Sequence, residues 1–408
     1  MQSFHYTLDF IRSTFQEPTG FIPLHDPRFI GNEKKYMEEC IDTNFVSSVG
    51  EFVGRFEKMC AEYTGAKYAV AAMNGTSALH ISLLLAGVQR DDEVISQALT
   101  FIATANAISY TGAKSVFIDV DKETMGLSAK ALEAWLEENV VLRPFASSPS
   151  HPIAHSPLQP FASSFLQPFN KATGRRIGAC VPMHTFGHPV KLADLKAVCD
   201  RYNIPLIEDA AESIGSYYKG KHTGTFGKLG VLSFNGNKLI TTGGGGMILT
   251  DDEQLAKMAK HLTTQAKVPH PYEFVHDHIG YNYRLTNINA ALGCAQMESL
   301  DYLLSLKRNL AEQYKEFFRN SDFTFFAEPT DCKSNYWLNA IITEDKAQRD
   351  KLLQYSNANG VMMRPIWELM SRLPMFTDCQ TDALENSIWF ADRVVNIPSS
   401  AIIPGYRK

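Results

Sequence analysis

The sequence has no basic run, no apolar stretch of membrane-spanning length and no paired cysteine spacing. Each lack excludes something. Lys and Arg number 39 against 44 Asp and Glu, a formal net charge of −5, so neither nucleic acid nor an anionic membrane is expected as a partner. A spanning helix needs about 20 consecutive apolar residues, and none are present. Residues 1–17 lack the basic end and apolar core of a signal peptide. The seven cysteines, Cys40, Cys60, Cys180, Cys199, Cys294, Cys332 and Cys379, form no framework. That pattern points to reduced thiols in a cytoplasmic enzyme, with neither a disulfide scaffold nor a metal site expected. What is present is 408 residues, 45% hydrophobic, enough for a large core and more than one domain.

Short apolar runs alternate with amphipathic stretches up to about residue 255. Strands are expected at 68–73, 93–96, 115–119, 177–182, 205–208 and 231–234, and helices between them. This is the order of an α/β fold with a doubly wound, mostly parallel sheet. Residues 1–30 carry few periodic signals and are expected to form an N-terminal arm. Residues 31–286 then make the large domain. Residues 287–408 form a long linker helix and a smaller α+β domain, with strands at 337–342 and 360–364. Within the large domain, 141–174 breaks the pattern. It is rich in proline and serine, has no acidic residue, and repeats Pro-Phe-Ala-Ser-Ser and Leu-Gln-Pro-Phe. It reads as an inserted surface arm.

Three stretches suggest chemistry. Lys238 stands between two apolar runs beside four glycines, Gly243 to Gly246. A sheltered amine is nucleophilic toward an aldehyde, and glycines admit a bulky group. The bland alternative is a surface lysine before a flexible turn. Asn74-Gly75-Thr76-Ser77 joins a strand to a helix, an arrangement that presents amides to a phosphate, or in which Thr76 or Ser77 merely caps the helix. Asp209 ends a strand, where open parallel sheets bind ligands; it also suits a plain helix-start acid. Phe101, at a strand-to-helix junction, offers an aromatic face or a core side chain. A phosphate cup of Gly75, Thr76 and Ser233, a carboxylate for a pyridine nitrogen and a lysine together describe pyridoxal phosphate. The glycine run has neither the lysine-serine ending of a P-loop nor a dinucleotide-binding order.

The motifs Asn-Gly-Thr-Ser-Ala-Leu-His at 74, Leu-Thr-Phe-Ile-Ala-Thr-Ala-Asn-Ala at 99, Ile-Glu-Asp-Ala-Ala-Glu-Ser-Ile-Gly at 207, Ser-Phe-Asn-Gly-Asn-Lys at 233 and Gly-Tyr-Asn-Tyr-Arg-Leu-Thr-Asn-Ile at 280 go further. With them the chain resembles the fold-type I sugar aminotransferases of the DegT/DnrJ/EryC1/StrS family over roughly residues 20–400. The likeness extends to the branch that makes 4-amino-4,6-dideoxy-N-acetylglucosamine nucleotides for bacillosamine and legionaminic acid.

The resemblance implies roles. Lys238 is the Schiff-base lysine and proton shuttle, and Asp209 the partner of the pyridine nitrogen. Glu212 stands where many relatives have a glutamine near the cofactor hydroxyl. Phe101 stacks on the ring, while Gly75, Thr76 and Ser233 receive the phosphate. Asn282 reaches the phosphate of a neighbouring subunit, so a homodimer with shared sites is expected. His184, His278, Arg284, Arg364 and Trp367 are candidates for the sugar nucleotide. The implied reaction moves an amino group, from glutamate, to C4 of a 4-keto-6-deoxy-N-acetylhexosamine on UDP. Dehydratases on this fold carry histidine in place of the lysine, so Lys238 argues against that reading, and the intact set argues against a non-catalytic sensor.

Overall fold

The computed structural model describes residues 2–144 and 166–406. Helices α1 Gln2–Phe15, α2 Glu33–Asp42 and α3 Glu51–Thr64 precede the sheet. The chain then runs through β1 Tyr68–Ala72, α4 Gly75–Leu85, β2 Glu93–Gln97, α5 Ile102–Tyr110, β3 Lys114–Ile118 and α6 Ala129–Asn139. It continues through β4 Ile177–Val181, α7 Leu192–Arg201, β5 Ile207–Asp209, β6 Leu229–Ser233, β7 Gly246–Thr250 and α8 Glu253–Thr263. These strands lie in the order β3-β2-β4-β5-β6-β7-β1, the β4–β5 step being made by the parallel bridges Cys180–Leu206 and Met183–Asp209. Every pairing is parallel except those of β7, which runs antiparallel to both β6 and β1. The expected doubly wound, mostly parallel sheet is therefore present. β2, β4, β6 and β7 are buried along their whole lengths, as a sheet covered on both faces requires.

The carboxyl ends of the six parallel strands and the amino end of β7 fall at one edge, and local sequence explains how the chain is finished there. Asn74 follows β1 and caps α4, its side chain accepting from Ser77 N at 2.8 Å. Phe101 is the extended residue that opens α5. Asp209 ends β5 and Ser233 ends β6. A loop and the Gly243 to Gly246 run then turn the chain into β7. Gly246 is obligatory there: a Cβ would stand 2.4 Å from Asn74 O and 2.8 Å from Gly75 N. Forcing one in costs about 1–3 kcal/mol of overpacking strain.

The second layer follows. Helices α9 Asn287–Glu298 and α10 Leu300–Phe317 lead into β8 Thr324–Phe325, β9 Asn339–Ile342, α11 Lys346–Ala358, β10 Arg364–Pro365, α12 Glu385–Ala391 and β11 Val394–Ile397. The four small strands form an antiparallel sheet in the order β8-β9-β11-β10. A two-residue strand, Gln380–Thr381, pairs with β3 of the large sheet. Asp119, just past β3, accepts the amides of Asn386 and Ser387 at the start of α12. The start of α12 is thereby tied to the end of β3.

Four expectations need correction. The N-terminal arm is not irregular: α1 buries Phe4, Leu8 and Ile11 against Leu310 and Tyr314 of α10 and Leu352 of α11. Their spacing of four and three residues is a helical stripe, hidden by polar neighbours. The expected long helix after residue 287 breaks at Ser299, which ends α9 and begins α10. α9 belongs to the large core, where Ala290, Ala291 and Cys294 cluster with Phe52 and Phe56 of α3. Gly293 allows that approach, since a Cβ there would meet Phe56 at 2.8 Å. The expected strand at 360–364 shrinks to Arg364–Pro365, because only these residues pair with β11. The proline- and serine-rich segment begins and ends as an antiparallel ribbon, Val140–Pro144 against Leu166–Asn170. The remainder of that expected arm, 145–165, lies outside the described residues. No helix among the described residues is long and apolar enough to cross a membrane.

Candidate active site

At the carboxyl edge of β5 and β6 lies a group of buried charges. Asp209 is 2% exposed; its Oδ2 accepts from Thr104 Oγ1 at 2.7 Å and its Oδ1 from Ala211 N at 3.2 Å. Burial pushes the Asp209 pKa up, against the pull of the Thr104 hydroxyl, the Ala211 amide and the charge of Lys238. The Lys238 ammonium lies 3.2 Å from Glu212 Oε1 and 3.9 Å from the centre of the Trp337 ring. Its side chain is only 12% exposed, so both contacts act in a partly dry setting. Trp337 is itself fixed, its indole N–H donating to Asn237 O at 2.8 Å. Glu212 takes the Phe186 amide on its other oxygen at 2.9 Å. Burial lifts its pKa to about 7, opposed by Lys238 and the Phe186 amide.

Beside this group stands the glycine cradle. A Cβ on Gly75 would meet Ser233 Cβ at 3.0 Å, so the start of α4 and the end of β6 touch only because residue 75 has no side chain. The first-turn amides of α4 have no carbonyl one turn back, and the helix dipole favours an anion there. Thr76 and Ser233 add hydroxyls. Phe101, which opens α5, is 46% exposed, unusual for an aromatic at a strand end, and its ring lies 6.1 Å from Trp367. Trp367 in turn packs 5.1 Å from Phe186. These three rings make an aromatic wall.

The residues suit pyridoxal phosphate on their own chemistry. An anion cradle, an amine, a buried carboxylate and an exposed ring face are the donor set that a phosphorylated pyridine aldehyde requires.

Of the residues singled out from sequence, the structure gathers Lys238, Asp209 and Glu212, sets Gly75 against Ser233 with Thr76 next to it, and joins Phe101 to Trp367. It separates others. His184 is a correction: it is fully buried, its Nε2 3.2 Å from Glu208 Oε2 and its Nδ1 accepting from Val190 N at 3.2 Å. Both ring nitrogens are committed, so the imidazole cannot serve a sugar. Glu208, where burial raises the pKa but His184 and the amides of Gly227 and Gly224 more than reverse it, anchors the loop beyond β5. His278 pairs with Asp277 at 2.9 Å, and Asn282 and Arg284 are exposed on the same segment. Among the described residues, no hydrogen bond or ion pair joins that segment to Lys238, whose side chain is paired with Glu212. Arg364 is exposed on β10.

Sequence reasoning missed Thr104 and Trp337. Thr104 had a signal, since it lies three residues past Phe101, where a helix's first turn faces the strand ends. Trp337 lies beyond α10, just before β9, and no local pattern announces it.

Comparison with known proteins identifies the class that this arrangement defines. The chain belongs to the DegT/DnrJ/EryC1/StrS aminotransferase family, which matches residues 27–141 and 167–404. It is a pyridoxal phosphate-dependent sugar aminotransferase. GDP-perosamine synthase of Escherichia coli O157:H7 is 35% identical over 380 residues, 93% of each chain. A provisionally named pyridoxal phosphate-dependent aminotransferase, EpsN of Bacillus subtilis strain 168, is 36% identical over 356 residues, 87% of this chain and 84% of EpsN. The aminotransferase TlmJ of Streptoalloteichus hindustanus shares the fold at a TM-score of 0.79 and 23% identity, covering 95% of both chains.

Proposed function

We propose that the protein transfers an amino group from glutamate to C4 of a 4-keto-6-deoxy-N-acetylhexosamine carried on UDP, for surface-glycan synthesis of the bacillosamine or legionaminic acid type. The observation that supports it most is the contact of Lys238 with Glu212 in the same buried group as Asp209, next to the Gly75–Ser233 cradle. Pyridoxal phosphate, when bound, supplies an aldehyde for the amine and a ring that delocalises the electrons of a deprotonated carbon. The chain's residues do the rest. The α4 amides, Thr76 and Ser233 hold the phosphate, and Phe101 covers one ring face. Asp209 keeps a proton on the ring nitrogen. Lys238 Nζ, steadied by Glu212 and the Trp337 face, moves the proton at the reacting carbon. Trp367 and Arg364 contact the sugar nucleotide.

A second copy of the chain completes the site. Asn282 and Arg284 are exposed on a segment whose Tyr272, Phe274 and Ile279 are 79%, 81% and 69% exposed. Apolar surface of that extent favours a homodimer that buries it, with Asn282 reaching the partner's phosphate cradle.

Three relatives named GDP-perosamine synthase favour a second reading, a GDP-linked sugar. Incubation with glutamate and each keto sugar separates the two. Formation of 2-oxoglutarate together with a UDP-linked amino sugar, detected by mass spectrometry, is the expected result. Amination of the GDP sugar alone would replace the UDP assignment, and amination of neither would remove the proposed reaction.

Glu212 gives a further expected outcome. With its pKa lifted to about 7, the carboxyl is neutral below that pH and charged above it, so the wild-type kcat/KM profile should bend near neutrality. Glu212→Gln fixes the neutral form. Its profile should lose that bend while turnover at the optimum stays within about tenfold. An unchanged bend would assign the titration to another group.

A further inference from the structure

The histidines at the end of α8 and in the stretch that follows it have no part in the chemistry described above. Three of the twelve histidines, His270, His276 and His278, fall in that stretch, and a fourth, His261, lies in the last turn of α8. The chain leaves α8, reverses, and returns as a ribbon over the end of the same helix. The reversal is strained, since Gln265 and Ala266 are consecutive non-glycine residues with φ of 71° and 51°. The returning strand presses so closely on it that a Cβ at Gly280 would lie 2.1 Å from Gln265 C. Backbone bonds fix the fold-back: Tyr281 N donates to Leu262 O at 2.7 Å, Gln265 N to Tyr281 O at 3.1 Å, and Lys267 bridges to His276.

This construction brings three side chains together. His261 Nε2, from the last turn of α8, lies 2.6 Å from Asp277 Oδ1. His278 Nδ1 lies 2.9 Å from the same oxygen. Ligand atoms of all three residues fall within 4.8 Å of one another. The two imidazole rings stand at 90° with centroids 5.6 Å apart. His278 Nδ1 is buried and makes no hydrogen bond, even to the nearby carboxylate. It therefore converges on Asp277 without the alignment of a hydrogen bond, whereas a cation shared between them has no such requirement of angle.

We infer that His261, Asp277 and His278 bind one divalent transition-metal ion, zinc by preference, and that the ion staples the 264–283 ribbon to the end of α8. Two imidazoles and a carboxylate are ligands for zinc and its neighbours; calcium and magnesium require oxygen throughout. Three protein ligands leave a fourth position to water. The helix carboxyl terminus adds its negative dipole end, which favours a cation at His261. The staple lies on the segment that carries Asn282 and Arg284, so it fixes the direction in which those side chains project. The site is independent of the substrate proposed above and stands or falls separately.

The test uses untagged, cofactor-loaded protein, stripped with a chelator, dialysed and titrated with Zn²⁺ by calorimetry. One ion per chain is expected. His261→Ala, Asp277→Asn and His278→Gln should each weaken binding by at least about tenfold, while His270→Ala, outside the group, should not. Hydrogen exchange over 264–283 should slow when Zn²⁺ is added to the wild type and not when it is added to Asp277→Asn. Absence of stoichiometric binding by the wild type would overturn the inference whatever the variants do, leaving Asp277 only as a side-chain partner of the two histidines. Binding unaffected by the three substitutions would overturn it equally.

Discussion

Lys238→Ala is expected to lower transamination by at least about a thousandfold and to abolish the visible absorbance of the lysine-bound cofactor, while leaving the protein folded. The size of the effect follows from position. Lys238 is the amine placed between a carboxyl, Glu212 Oε1 at 3.2 Å, and an aromatic face, Trp337 at 3.9 Å, in the buried group that contains Asp209. Lys307, the other buried lysine nearby, is fully enclosed and donates to the carbonyls of Trp337 and Ser399, so it cannot take over. The fold should survive because truncation removes a partly exposed side chain and vacates no packed core. Measurement needs the absorbance spectrum of the reconstituted variant, circular dichroism and a glutamate half-reaction. Wild-type absorbance in the variant would show that another amine holds the cofactor, and the proposed chemistry would fail with it.

Much of this architecture was legible because it is written locally. β1 and α4 follow one another within about twenty residues, each with its own signal, a buried run and a glycine where two elements touch, although the cap is Asn74 and not the Thr76 or Ser77 expected from the sequence. Asp209 was readable as a strand-end residue by the same logic, and Ser233 lay within an expected strand, 231–234, that ends one residue earlier in the structure. What escaped were contacts made across the chain. Trp337 reaches Lys238 from beyond α10, over about a hundred residues. His184 was misread because a histidine after a strand suggests a ligand contact, while the partner that consumes it, Glu208, lies on the adjacent strand β5. The helical stripe of α1 was also missed, since Phe4, Leu8 and Ile11 gain meaning only against α10 and α11. Periodicity shows that a face is apolar but not what it will meet.

Asp209→Asn should leave cofactor affinity within about tenfold and lower turnover by roughly a hundred- to a thousandfold. Asparagine keeps the size of the side chain, and its oxygen can still accept from Thr104 or Ala211, so the buried network loses a charge but not its packing. Loss of the charge is what matters. Burial already raises the Asp209 pKa, so its ionised form depends on the Thr104 hydroxyl, the Ala211 amide and cations nearby. A protonated ring nitrogen is one such cation, and the two charges stabilise each other in a site that excludes water. An asparagine cannot hold that proton, and the ring then becomes a poor acceptor of electrons from the reacting carbon. The loss should fall on kcat, with the KM values for glutamate and keto sugar little changed, because the interaction strengthens only as charge develops. Thr104→Val supplies the internal comparison. It removes one donor to Asp209 while keeping the carboxylate, and should reduce kcat by about tenfold in the same direction. Near-normal turnover in Asp209→Asn would mean that the ring nitrogen needs no carboxylate, and a raised KM at unchanged kcat would turn Asp209 into a residue that only shapes the pocket.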